Sequence, residues 1–412
     1  MKERQNPVVV IGGGPAGMAA ALEASREGAR ALVLDRNRHP GGILNQCIHD
    51  GFGLIRFGES LSGPEYAGFF ARQMESDTNI EYVPGAAVTG ITGDLKVSGL
   101  SRRGAFCYKA GAVVLATGCR ERTRGALAIP GSRPAGIFTA GVAQQLINTC
   151  NIAVGKRALI LGSGDIGLIM ARRLSLTGVE VTGVFEKLPY CSGLPRNRYQ
   201  CLDDFDIPLH LNKTVTGIHG TKRLESVTVS SLDEYGNPVP KSEYRISCDT
   251  LILSVGLIPE NEIALRLGAA LLPATKGIRA DSHLESSVPG VFSCGNSLHV
   301  NDLADNVTEE GGLAGRWAAR HALGKITGGA KKVPVRHGAG IRYTSPQTVY
   351  AGESAVINLR VNAPGIGKTL RFLSGNRALA EKVFKHTSPA EMISLKVPVP
   401  DTVSGAVEVE LL

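Results

Sequence analysis

The sequence predicts an α/β fold: two Rossmann-like domains, the second inserted in the first, followed by a small C-terminal β domain. Three observations predict it. A strand, glycine turn, helix and strand occur together twice. Each copy is followed by a polar, β-branched stretch and an apolar strand ending in glycine. Over the last 80 residues the pattern changes to short alternating strands.

Residues 7–36 read PVVVIGGGPAGMAAALEASREGARALVLDR. The Val/Ile run is a buried parallel strand. Gly12, Gly14 and Gly17 follow with G-x-G-x-x-G spacing, then an Ala-rich helix, then a strand ending at Asp35. Each part has a mechanical role in dinucleotide binding. Gly12 permits the tight turn, Gly14 lets backbone approach a pyrophosphate, and Gly17 brings helix and strand close. The helix N-terminus offers free N–H groups to phosphates, and Asp35 can accept hydrogen bonds from ribose hydroxyls. Residues 157–187, RALILGSGDIGLIMARRLSLTGVEVTGVFEK, repeat the pattern with Gly162, Gly164, Gly167 and Glu186. One such turn is a weak signal; two, each in the right context, are a strong one.

The stretches 80–110 and 214–248 are polar and β-branched. They lead into AVVLATG (112–118) and LILSVG (251–256). The predicted organisation is therefore 1–124 for the first domain, 125–259 for the insert, 260–330 for the rest of the first domain, and 333–412 for the β domain. In that last region RYTSPQTVY, AVINLRVNA and EMISLKVPVP read as antiparallel strands. NAPGIGKTL lacks the first glycine of a phosphate loop, since Asn362 stands there, and reads as a β-turn with an exposed Lys368.

Composition narrows the function. The net charge is +8, from 45 basic and 37 acidic residues without a run of five like charges. This favours anionic small molecules over nucleic acid. The N-terminus has no signal-peptide pattern, and no apolar run approaches the ~20 residues of a membrane span. Eight cysteines are scattered without C-x-x-C spacing. A cytoplasmic protein with reduced thiols and no metal site is expected.

With these motifs the chain resembles the two-dinucleotide-binding-domain flavoproteins of the pyridine nucleotide–disulfide oxidoreductase superfamily over about residues 6–330. The resemblance implies FAD in the first domain and NAD(P)H in the insert. Gly12, Gly14, Ala16, Gly17, Asp35, Gly42, Val88, Ala116, Thr117 and Gly118 would hold FAD. Asn296 stands where the family carries an aspartate for the ribityl chain. A helix opening near Val307–Glu309 would point its N-terminus at the flavin. In the insert, Gly162, Gly164, Asp165, Ile166, Gly167, Glu186 and Gly256 would take the nicotinamide dinucleotide. Glu186 can accept both ribose hydroxyls and would repel a 2′-phosphate, which favours NAD(H), with Lys187 opposing slightly.

TRGALAIPGSRPAGIFTAGVAQQLIN and PYCSGLPRNRYQCLDDFDIPL carry a narrower resemblance, to flavoprotein subunits of multi-subunit bacterial dehydrogenases. These include the proteins accompanying anaerobic glycerol-3-phosphate dehydrogenase-like subunits, and subunits of hydroxyproline dehydrogenase and hydrogen cyanide synthase.

GGILNQCIHDG (41–51) is the main chemical ambiguity. In disulfide reductases of the superfamily the redox cysteines fall two and seven residues after the second glycine, here Leu44 and His49. No local redox disulfide is possible. Cys47, His49 and Asp50 remain open to a metal site, a nucleophile with His49 as base, or pairing of Cys47 with a distant cysteine. The favoured reading is a loop lining the flavin, with Cys47 packing and His49 near the isoalloxazine or a docking surface. Cys191 and Cys201 read as structural thiols, with a redox pair as the alternative, and Cys294 as a small buried residue.

The expected function is hydride exchange between NAD(H) and FAD, with electrons passing to or from a partner. That partner would be a second flavoprotein or an iron–sulfur subunit, on which the small-molecule substrate could be bound. A self-sufficient NADH-dependent reductase or oxidase, and a nucleotide-binding scaffold without turnover, are the alternatives.

Overall fold

The computed structural model describes residues 6–326, 330–403 and 405–412. The chain divides into two compact units. Arg120–Ile258 is one; the residues up to Cys119 together with Pro259–Leu412 are the other. The insert thus begins at 120 rather than 125, because Arg122 already bonds within it, donating its N–H to Gly256 O at 3.0 Å.

The first unit is built on a five-stranded parallel sheet ordered Val291–Ser293, Ala112–Leu115, Val8–Ile11, Ala31–Asp35 and Ile80–Pro84. Its central strand is apolar throughout because both faces are covered. Val8 and Val10 enter the core beneath the helices Pro15–Arg26 and Ala304–Ala322. Val9 and Ile11 enter the core beneath a three-stranded sheet, Ala87–Ile91, Lys96–Ser101 and Gly104–Lys109.

The two helices approach closely. A Cβ at Gly311 would lie 2.2 Å from Ala16 O, and one at Gly315 would lie 2.1 Å from Ala20 O. The helix expected near Val307–Glu309 in fact opens one turn earlier, at Ala304. Leu303 is extended and caps it, and Asp305 lies in its first turn, where the helix dipole favours an acid.

The second unit repeats the layers. Its parallel sheet runs Leu209–His210, Glu180–Phe185, Arg157–Leu161, Thr250–Leu253 and Ile137–Thr139. Helices Ala140–Asn148, Asp165–Leu176 and Pro195–Cys201 share one core, and the antiparallel sheet Lys213–Gly220, Leu224–Ser231 and Tyr244–Ser247 shares the other.

The C-terminal region belongs to the first unit and has its own sandwich core. One sheet has three strands, with Ser354–Val361 between Ile341–Ser345 and Ile393–Pro398. The other has five, and it is not wholly antiparallel: Lys332–His337 pairs in parallel with Val407–Leu411. These are the first and last strands of the region, so the chain between them supplies the long crossover a parallel pair requires. NAPGIGKTL is also corrected. Lys368 is half-buried within strand Gly365–Ser374, opposite Phe384, rather than exposed on a turn.

Buried polar contacts join the sandwich to the rest of its unit. Arg360 donates to Val300 O at 3.1 Å and pairs with Asp302, while Pro389 O at 3.1 Å and Ala390 O at 2.8 Å hold the same guanidinium from within the sandwich. Gln347 and Ala280 exchange hydrogen bonds at 3.0 and 3.1 Å. No helix among the described residues is long and apolar enough to cross a membrane.

Gly315→Val would drive a branched side chain into the backbone of the facing helix. Overpacking of this kind should lower stability by about 1–3 kcal/mol. An unchanged urea midpoint and slope would show that the helices are not in this contact.

Candidate functional site

In the first unit Gly12 takes φ +107°, and a Cβ there would lie 2.3 Å from Ala116 O. A Cβ at Gly17 would lie 1.8 Å from Gly12 O, so helix and turn touch. Gly14 faces open space, as a residue beneath a ligand must. Pro15 occupies the first helical turn, which carries no acid, so the helix N-terminus keeps its positive end for a phosphate.

Asp35 is buried at the end of the neighbouring strand. Its Oδ2 accepts the Gly13 N–H at 2.7 Å and its Oδ1 accepts the Asn37 N–H at 2.7 Å. The Gly41–Gly42 turn packs on this glycine turn: Gly41 donates to Gly13 O at 2.8 Å, and a Cβ at Gly42 would lie 3.1 Å from Gly14 Cα.

Most of the other residues expected here converge. Ala116 continues the strand beside Ile11, Thr117 Oγ1 donates to Glu260 O at 2.7 Å, and Gly118 O accepts the Glu260 N–H at 3.0 Å. A Cβ at Gly295 would lie 3.0 Å from Ala16 Cβ and 3.1 Å from Val307 Cγ1, so the turn carrying Asn296 abuts the first helix. Val88 lies half-buried on the strand Ala87–Ile91 of the three-stranded sheet and packs against the core that contains Ile11 and Leu34.

Tyr82 was missed. It pairs with Val33 in the next strand, and its ring approaches Gly13 beside Asp35. Burial, then the Asp35 charge, pushes its phenol above the ordinary range, and its buried hydroxyl has no partner among the described residues. An open glycine, a free helix N-terminus, a buried carboxylate and an orphaned hydroxyl together fit a dinucleotide.

The second unit reproduces this geometry. Glu186 Oε2 accepts the Ser163 N–H at 2.9 Å and its Oε1 accepts the Leu188 N–H at 3.0 Å, matching the two bonds of Asp35. A Cβ at Gly162 would meet Ser254 O at 2.0 Å, as Gly12 meets Ala116, and Gly256 takes φ +103° as Gly118 takes +69°.

Two differences are chemical. Ser163 Oγ and Ser192 Oγ also donate to Glu186 Oε2, at 2.7 and 3.0 Å. A carboxylate has about four lone-pair directions, and Glu186 already accepts four donors, three of them on Oε2. And Asp165 stands in the first helical turn where the first unit has Pro15. Its Oδ1 accepts Leu194 N–H at 2.8 Å and the Asn197 amide at 2.7 Å, tying segment 191–197 to the glycine turn. Ile166 packs against the helical core.

On the 41–51 loop, Cys47 is buried and donates to Ile43 O at 3.3 Å. Burial pushes its thiol up to about 12, so it stays protonated and is a poor nucleophile. His49 is half-buried with its ring 5.1 Å from Phe52, and Asp50 is exposed. Among the described residues no group of three or more potential ligands could hold a metal. None of the eight cysteines is in a disulfide among the described residues; Cys294 and Cys201 are buried, the latter at the end of a short helix that also carries Arg196 and Arg198.

A family model described as pyridine nucleotide-disulphide oxidoreductase matches residues 6–322. An opine oxidase subunit from Agrobacterium tumefaciens (strain Ach5) is 27% identical over 281 residues, 64% of this chain and 55% of that protein. The chain therefore spans little more than half of that relative. Hydrogen cyanide synthase subunit HcnB of Pseudomonas aeruginosa is 27% identical over 347 residues, 76% of this chain and 70% of that one. The crystal structure of T. acidophilum thioredoxin reductase superposes with a TM-score of 0.63 at 25% identity, covering 78% of this chain and 100% of that one.

The thiols order themselves by burial. Brief alkylation of the native protein at pH 8 should label exposed Cys107 and Cys150 and spare Cys47. Because the Cys47 pKa is raised, its labelling should not rise through pH 8–9 as a free thiol's would. Rapid labelling of Cys47 would restore it as a nucleophile candidate.

Proposed function

The chain belongs to the pyridine nucleotide-disulphide oxidoreductase family, and from that premise we propose that it is an FAD-dependent oxidoreductase. It exchanges hydride between NAD(H) and FAD and passes electrons to or from a partner, as one component of a multi-subunit dehydrogenase. The observation that carries this reading is the duplicated carboxylate: Asp35 on the Gly13 amide and Glu186 on the Ser163 amide, each beside a glycine turn.

The first site is assigned to FAD, which supplies two-electron hydride chemistry when bound. Gly14 and the N-terminus of helix Pro15–Arg26 would receive its pyrophosphate. Asp35 and Tyr82 would bind the adenosine ribose. Asn296 would orient the ribityl chain. Helix Ala304–Ala322 would turn its N-terminus toward the flavin, with Asp305 in its first turn offsetting part of the positive dipole end.

The second site is assigned to NAD(H). The buried Glu186 charge discriminates against a 2′-phosphate, and Ser163 and Ser192 hold that carboxylate in place.

The partner reading draws on two supports. Matched relatives are named as subunits of an oxidase and of hydrogen cyanide synthase. The loop after the first glycine turn also leaves Ile43, Ile48, Leu54 and Ile55 exposed, and large exposed apolar side chains mark docking surfaces when they cluster. In this reading the partner is a second flavoprotein or an iron–sulfur protein, which would supply the onward redox centre.

The purified protein should be yellow and release FAD on denaturation, and anaerobic NADH should bleach its visible absorbance. A flavin that neither NADH nor NADPH reduces would refute the hydride-exchange reading; colourless protein that cannot be reconstituted would refute FAD.

Glu186→Gln keeps the side chain's shape and removes its charge. The preference for NADH over NADPH should fall about tenfold, equivalent to about 1.4 kcal/mol. An unchanged ratio of the two dissociation constants would place Glu186 away from the ribose.

A further inference from the structure

Glu310 lies on the long helix Ala304–Ala322 and is only 8% exposed. A buried carboxylate is costly unless its oxygens are bonded. Oε2 accepts the Gly295 N–H at 2.9 Å and the Asn301 side-chain amide at 3.3 Å. Oε1 accepts the Asn358 amide at 3.3 Å and lies 2.8 Å from Nε2 of the fully buried His299. That last approach is off the line of a hydrogen bond, and neither ring nitrogen of His299 is hydrogen-bonded among the described residues. Glu310 is thus the acceptor on which three donors and a buried imidazole converge.

Its partners lie at two ends of a connected path. At one end Gly295, at φ +65°, is wedged against Ala16 and Val307. Asn296 follows it, and its Oδ1 accepts the Asn301 N–H at 2.9 Å. At the other end Asn358 stands on the middle strand of the three-stranded sandwich sheet. Its Oδ1 accepts Ser394 Oγ from the adjacent strand at 2.6 Å. The path from sandwich to turn therefore runs Ser394, Asn358, Glu310, Gly295. Arg360 anchors the same strand to Val300 and Asp302, so the strand carrying Asn358 cannot drift from the segment that follows the turn without breaking a second buried contact.

We propose that Glu310 is a positioning residue through which the C-terminal sandwich sets the Gly295–Asn296 turn against the flavin. This rests on the reading that the first glycine turn holds FAD. Loss of the carboxylate would leave the buried Gly295 N–H without its acceptor, and the turn would relax away from its wedge. It would also remove a negative charge whose field reaches the turn: after burial, the Glu310 charge is the second cause raising the adjacent Cys294 thiol. A negative charge beside a flavin opposes its reduction, so that charge lowers the potential.

The test compares FAD-loaded wild type with Glu310→Ala, Glu310→Gln and Asn358→Ala. It reads the FAD dissociation constant, the visible spectrum, the midpoint potential and thermal unfolding. Glu310→Ala should weaken FAD binding at least tenfold. Glu310→Gln, whose carbonyl can still accept from Gly295, should recover most of that affinity yet keep a raised potential. Asn358→Ala should alter the spectrum and weaken FAD binding a few-fold although it lies in the sandwich. A purely structural role would move the unfolding temperature and leave potential and spectrum alone. Wild-type potential and spectrum in both Glu310→Gln and Asn358→Ala would overturn the proposal, whether or not Glu310→Ala folds. A wild-type protein that takes up no FAD would instead overturn the reading beneath it.

Discussion

The first unit depends on one close helix–helix contact. Helix Pro15–Arg26 follows the first glycine turn, and helix Ala304–Ala322, which comes after the insert in sequence, lies against it. Gly311 and Gly315 leave room for the Ala16 and Ala20 carbonyls to sit against the facing helix. The contact closes a very long loop, whose entropic cost grows only slowly with length. It is what allows Asn296, Val307 and Glu310 to stand beside Gly12–Gly17. Salt bridges from Arg316 to Glu23 and from Arg320 to Glu27 line its solvent edge; exposed pairs of this kind contribute little beside the packing.

A second constraint recurs in both units. Each acid at the end of a second strand accepts the N–H of the residue after the first motif glycine, and the N–H two residues beyond itself. The same two bonds fix each carboxylate against its glycine turn. The copies then diverge. Pro15 leaves the first helix N-terminus bare, whereas Asp165 fills the second and holds segment 191–197. Two serines further load Glu186. The first turn is the more open of the two, and the second is the more heavily hydrogen-bonded within the protein.

The C-terminal sandwich does not stand apart. Arg360, Asn358 and Gln347 all bond to segments of the first unit that flank the long helix, and Lys332 and Tyr350 both meet Asp281. Polar contacts buried at a junction give it geometric definition, because each unpaired group would cost more than each pair gains. The hairpin Gly365–Ser374 with Arg377–Thr387 buries Leu370 and Phe372 in the sandwich core and leaves Ile366 and Val383 exposed.

The sequence alone determined the two glycine turns, their acids, the strands around them, and the nesting of one domain in the other. Those features are local: fixed spacing within 30 residues and apolar runs whose period reveals their partners. It also sufficed to reject a local disulfide at Leu44 and His49. Only the tertiary structure decided that Tyr82 stands beside Asp35, that Glu186 is already loaded by Ser163 and Ser192, that the long helix opens at Ala304, and that Lys368 lies in a strand. Glu310 and Asn358 carry no local signature, since a Glu in a helix and an Asn in a strand are ordinary surface residues by pattern. Their roles come from hydrogen bonds across long sequence separations, and such contacts exist only once packing has removed water from both partners.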